Sequence, residues 1–257
     1  MFDIQAERDQ LIGTWRSAFQ TRWAVRPRAC VRALAVPEVE KFGDHFRQIH
    51  NIFGWMAGST AAKRGLCSGA IYRSEDFMKV AQGARNGSCG RGKAFIHLQN
   101  VHIEHTIPIA ELSRRWTEYR RLNTVDVNDV YAWTLVHSVA TAVHHKTEKG
   151  GLRHYESRTD AFNSQSRHFG LPFMRYEHMD KPPIIWNVLN GERLDPHSWT
   201  FADHFSMIDR LMLEAGGDAV LCSSIQDKAR ELVASLSFSP LGDLLELPLS
   251  SGGRTCT

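Results

Sequence analysis

At residue 94 the hydrophobic pattern of this chain changes its period, and that switch restricts the folds open to it more than any other feature. Residues 94–109, AFIHLQNVHIEHTIPI, alternate apolar and polar side chains through Phe95, Ile96, Leu98, Val101, Ile103 and Ile107 until Pro108 closes the run. Alternation of this kind belongs to a strand with one buried face, with Gln99–Asn100 as a place for a hairpin turn. On either side the spacing is helical. Leu11, Ile12, Trp15, Phe19 and Trp23 predict a helix over 4–24, and Val39, Phe42, Phe46, Ile49, Ile52 and Phe53 predict another over 38–56. Residues 70–82 read as a short helix opened by Ser74, with Glu75 and Asp76 favoured by the helix dipole. Residues 110–121 read as a basic helix. Val130, Trp133, Val136, Val139, Ala140 and Val143 form one apolar stripe that predicts a helix over 129–148, capped by Asp126 or Asn128 and ended by Gly150–Gly151. A strand at 184–189, a hairpin signal at Asn190–Gly191 and helices at 200–215 and 224–236 complete an α+β chain.

These elements divide the 257 residues into a basic helical region at 1–93, a core at 94–150, an α+β elaboration at 151–248 and a disordered tail at 249–257. The loop GARNGSCGRGK (83–93) is glycine-rich and basic. No apolar run approaches the ~18 residues of a membrane span, and the N-terminal residues carry acids in place of an apolar signal core, so a cytoplasmic location without membrane partners is expected. The five cysteines, Cys30, Cys67, Cys89, Cys222 and Cys256, form no CxxC pair. They read as reduced and mostly buried thiols, with Cys67 and Cys89 as two ligands of a split zinc site the alternative.

A net charge of +3 conceals an uneven distribution. Residues 10–103 hold fourteen Lys/Arg against five Asp/Glu, whereas residues 195–248 hold three against nine. Such asymmetry points to a polyanion as partner of the basic part. Arg16, Arg22, Arg26, Arg28 and Arg32 run without an intervening acid and are interleaved with Trp15, Phe19 and Trp23. That mixture suits phosphate contact and base stacking, and equally the solvated face of an amphipathic helix.

Eight of the thirteen histidines fall between residues 97 and 168. Histidine is both a common metal ligand and a general base near neutral pH. The segment VHIEHTIPIAEL resembles the first strand of the His–Asn–His, or ββα-metal, endonuclease family, in which an acid and a histidine end a hydrophobic strand before an Ile-Pro turn. Here Glu104, His105, Thr106, Ile107 and Pro108 hold those positions. Asn128 and His137, nine residues apart, resemble the family's later asparagine and helix histidine, and His144, His145, Lys146 and Thr147 resemble the basic end of that helix. The resemblance covers residues 94–150. The 23-residue gap from His105 to Asn128 makes helix 110–121 an insertion between two strands, and the CxxC pairs of many members are absent.

The resemblance implies a small ββα-metal nuclease core embedded in a mostly helical domain, and a metal-dependent endonuclease acting on double-stranded DNA, of a bacterial or phage restriction or defence type. Phosphodiester hydrolysis needs a base for water, a Lewis acid at the phosphate and stabilisation of the leaving oxygen. The family pattern assigns His105 as base, Asn128 as the residue holding its ring, and Glu104 and His137 as ligands of Mg²⁺ or Mn²⁺, with Ni²⁺ or Zn²⁺ also compatible. His137, Thr141 and His144 would share one helix face. His102, three residues before His105, reads as structural, with a contact to the substrate or to a site residue the alternative. Asn163 and His168 are a rival source of the later motif elements, and Arg175 in PFMRY is either a phosphate contact or a solvated arginine. Arg22, Arg26, Arg28, Arg32, Arg114 and Arg115 are the expected DNA contacts, with Arg120 and Arg121 beside them, and a palindromic target would call for a homodimer. Two other readings stay open: a non-catalytic DNA-binding protein, and a metal hydrolase acting on something other than nucleic acid.

Overall fold

The computed structural model describes residues 1–21, 67–87, 100–145, 161–163, 165–217 and 223–237. The chain begins with α1 (Ile4–Thr21), where the Asp3 carboxylate accepts from the amides of Gln5 and Ala6 at 2.9 and 3.2 Å. Leu11, Trp15 and Ala18 face inward from α1, and the Trp15 indole N–H donates to the Gly69 carbonyl at 2.8 Å. Strand β1 (Tyr72–Ser74) runs directly into α2 (Glu75–Lys79), and Ser74 caps it by accepting from the Phe77 amide at 3.1 Å. The cap lies where the sequence put it, but residues 72–74 are strand and not the first turn of a 70–82 helix. Every residue of β1 is buried, and Tyr72 gains more from the sheet than from an isolated helical turn.

Strand β2 (Val101–His105) and strand β3 (Ala140–His144) are joined by α3 (Ile109–Leu122) and α4 (Val127–His137). Pro108 precedes α3, which buries Leu112 and Trp116. Asp126 and Asp129 form a reciprocal capping box at the start of α4. Further on come β4 (Ile185–Asn187), β5 (Glu192–Arg193), α5 (Phe201–Glu214) and α6 (Ser223–Ser237). Gly191 has φ +74° in the turn between β4 and β5, a conformation that favours glycine. The five strands form one sheet in the order β2-β3-β1-β4-β5, with β1 parallel to β3 and the other neighbours antiparallel. Helices α4, α5 and α6 pack on one another, and Lys228 of α6 pairs with Asp129 at the head of α4. The α+β class is therefore observed.

One expected helix is shorter than its apolar stripe. The chain leaves helical geometry at Ser138 (φ −84°, ψ 75°), and residues 140–144 pair with β2 in place of a helix continuing to 148. The first four residues of β3 are buried on both faces, so this segment carries no alternation by which a strand could be told from a buried helix. Consequently His137, Thr141 and His144 do not share a helix face.

Inside the contact between α1 and β1 lies a buried charge network. Glu7 pairs with Arg73 and, at 2.6 Å, with Arg85; the Arg73 guanidinium also donates to the carbonyls of Ser68 and Ala70 at 2.6 and 3.1 Å. Burial pushes the Glu7 carboxyl up, but hydrogen bonds and charge from the two arginines outweigh it and hold the group below its ordinary range. Burial likewise pulls the Arg73 guanidinium down to about 10. Removing the one carboxylate would leave two arginines without a counter-charge. Glu7→Gln is therefore expected to lower the unfolding free energy at pH 7 by about 3–5 kcal/mol in urea titrations. A loss below about 1 kcal/mol would mean that water already reaches these arginines.

Candidate active site

The site is laid out by the period-two geometry of β2 and its register against β3. His102 lies opposite Val143, Glu104 opposite Thr141 and His105 opposite Ala140. Successive strand residues point to opposite faces, so Glu104 shares its face with His102 and Thr141, while His105 turns to the other face at the strand's last position. His102 Nε2 is 3.8 Å from Glu104 Oε2, and both side chains are partly exposed, at 28% and 14%. The His145 ring stands 6.1 Å from that of His102, and the His145 amide donates to the Asn100 carbonyl at 2.9 Å. Arg175, from the single 3₁₀ turn Met174–His178, places Nη2 3.0 Å from Glu104 Oε1. The two oxygens of the Glu104 carboxylate thus have different neighbours, a guanidinium on one and an imidazole on the other.

His137 and Asn128 lie elsewhere. His137 is 4% exposed and sits among Trp133, Phe162 and Phe201, with ring centroids 4.4, 5.4 and 5.5 Å away. Its Nδ1 donates to the Trp133 carbonyl at 2.8 Å, which fixes the Nδ1–H tautomer. Burial, with a further contribution from the Arg115 charge, pulls its pKa down to about 4 although the Trp133 hydrogen bond acts the other way. Asn128 is in the first turn of α4, its amide donating to Asp126 Oδ1 at 2.7 Å. Nine residues at 1.5 Å each place Asn128 and His137 about 13 Å apart along one helix. The fold does not bring them to a common centre.

Arg114 and Arg115 are engaged within α3. Arg114 bonds Glu111 and Glu118 at 2.6 Å each, while Arg115 bonds Glu111 at 2.9 Å and the Phe162 carbonyl at 2.8 Å. Their charges are locally matched, so the face they occupy is less basic than the arginines alone suggest. Asn163 accepts from the Gln165 amide at 3.1 Å, and His168 Nε2 accepts from Arg167 at 3.0 Å; both belong to turns and neither starts a long helix. Arg22, Arg26, Arg28 and Arg32 lie outside the described residues, as do Cys89, Lys146 and Thr147. Cys67 is buried.

Two side chains take places that differ from the sequence reading. His102, read as structural or as a site contact, is the imidazole facing Glu104, and the signal was the i, i+2 spacing on a strand. Arg175 is neither solvated nor at the surface: its side chain is 1% exposed. Among the described residues no three His, Cys, Asp or Glu side chains are grouped to hold a metal ion. Glu104 and His102 provide a carboxylate and an imidazole, a donor pair suited to a divalent cation that keeps further ligands of its own. No described helix is long and apolar enough to cross a membrane. Comparison with protein-family models, curated proteins and solved structures gives no match to this chain.

Proposed function

We propose that this chain is a metal-dependent DNA endonuclease of the His–Asn–His type whose chemistry is centred on the end of β2. The observation that carries this reading is the grouping at that strand end. A partly exposed carboxylate, Glu104, faces the imidazole of His102 and is held by a buried arginine, and His105 follows it at the last position of the strand, turned to the other face where the sheet ends. In this reading β2 and β3 are the paired strands of a ββα-metal core, with α3 and α4 inserted between them. Glu104 and His102 hold the cation, with His102 taking the place that the sequence reading gave to His137. The bound cation, Mg²⁺ or Mn²⁺, supplies Lewis-acid stabilisation of charge at the scissile phosphate. His105 takes the proton of the attacking water. The basic segment with Arg22, Arg26, Arg28 and Arg32 holds duplex DNA through its phosphates.

Incubating the chain with supercoiled plasmid tests this. Nicked or linear product is expected with Mg²⁺ or Mn²⁺, and none after EDTA. Plasmid left intact with Mg²⁺, Mn²⁺, Ni²⁺ and Zn²⁺ alike would exclude the nuclease reading. Retention of the plasmid without cleavage would favour a DNA-binding protein.

A further inference from the structure

We infer that Arg175 is a positioning residue for the Glu104–His105 end of β2 and not a contact to the substrate's phosphates. The inference rests on the nuclease reading of that site. With its side chain 1% exposed, the guanidinium reaches no phosphate in solvent without leaving its place. It meets three consecutive residues, one as an ion pair and two as hydrogen bonds from a single nitrogen. Nη2 lies 3.0 Å from Glu104 Oε1, and Nη1 donates to the His105 carbonyl at 2.7 Å and to the Thr106 carbonyl at 3.2 Å. A planar guanidinium holds the two carbonyls through Nη1 while its charge stays beside the Glu104 carboxylate, whereas a lysine ammonium is a point charge on a flexible stem.

The next residue secures the same place from beneath. Tyr176 is buried, its hydroxyl lies 3.2 Å from Thr106 Oγ1, and Thr106 Oγ1 lies 2.8 Å from Thr141 Oγ1. Thr141 is the cross-strand partner of Glu104. A single 3₁₀ turn therefore supplies two adjacent side chains to one strand end. Arg175 sets the carboxylate and the peptide that carries His105; Tyr176 anchors the hydroxyl pair below them. Misplacing a reacting group by about 1 Å costs on the order of 100-fold in rate, so small movements of this end matter.

The test compares the full chain with its R175K and R175Q variants, measuring folded fraction, steady-state cleavage of duplex DNA in Mn²⁺, and the salt dependence of binding. The kcat per folded molecule is expected to fall at least about tenfold in R175K and further in R175Q, with KM within about twofold and the salt slope unchanged. A slope reduced by about 0.9 together with a raised KM would identify a phosphate contact and overturn the inference. An unchanged kcat per folded molecule would identify a purely structural arginine and overturn it equally. Should the wild-type chain cut no DNA, the nuclease reading fails, and the positioning is judged from histidine side-chain NMR. R175K is then expected to move the ring resonances of His102 and His105 while His137, enclosed by its aromatic neighbours, stays put. Unmoved His102 and His105 resonances would reject the positioning role.

Discussion

Replacing His105 by alanine is expected to lower kcat for DNA cleavage by about 100-fold or more, because a positioned general base contributes roughly 10²–10⁴-fold. Binding and folding are expected to change little. Two contacts that hold this strand end use the backbone of residue 105, whose carbonyl accepts from Arg175 at 2.7 Å and whose partner in the ladder is Ala140. Those contacts survive the loss of the ring. Imidazole added at millimolar concentration is expected to restore part of the rate in His105→Ala and none in Glu104→Ala, since only the former lacks a proton acceptor. His102→Ala is expected to raise the Mn²⁺ concentration needed for half-maximal rate more than it lowers the maximal rate. A His105→Ala variant cutting at a tenth of the wild-type rate or better would remove His105 from the role of base.

The sequence was most legible where a local pattern has a single physical meaning. Alternation through Val101 and Ile103 placed β2, the Asn190–Gly191 signal placed the β4–β5 turn, and Ser74 capped a helix as its position suggested. It was least legible where burial removes the pattern. Residues 136–143 are buried throughout, so a stripe of valines fitted a helix as well as the end of one helix and the start of β3. That ambiguity carried into the site. Asn128 and His137 were assigned from a nine-residue spacing, but on one helix that spacing means opposite ends, with His137 enclosed by aromatic rings. The matched charges of α3 were readable, since Glu111 and Glu118 stand three and four residues from Arg114 and Arg115. Arg175 was not. An arginine in a loop-rich stretch is ordinarily solvated, and only the tertiary path of residues 173–176 against β2 buries it.

The enclosed histidines give the second large expectation, a loss of stability in mild acid. His204 Nδ1 is 3.0 Å from the Tyr72 hydroxyl, which accepts from the Trp199 indole at 3.2 Å. Burial pulls the His204 pKa down to about 3, with His137 nearby adding to the effect against the hydrogen bond to Leu135, and burial pulls His137 to about 4. Both folded values lie below the unfolded value of 6.5, so the unfolded chain binds more protons as pH falls below 6.5. Stability is therefore complete above that pH and declines toward acid. Glu7, whose ordinary carboxyl value is 4.5, has a lowered folded pKa, so its contribution is lost mainly at still lower pH. Each histidine is expected to remove about 1 kcal/mol between pH 7.5 and 5.5, and the pair about 2–3 kcal/mol, a large share of a typical domain's stability. His137→Phe keeps a ring of similar size among Trp133, Phe162 and Phe201, leaves the Trp133 carbonyl its helical hydrogen bond, and is expected to halve that loss. Urea unfolding of both proteins at the two pH values checks it. A wild-type stability that changes by less than about 0.5 kcal/mol over this interval would show that the two rings already share their protons with solvent.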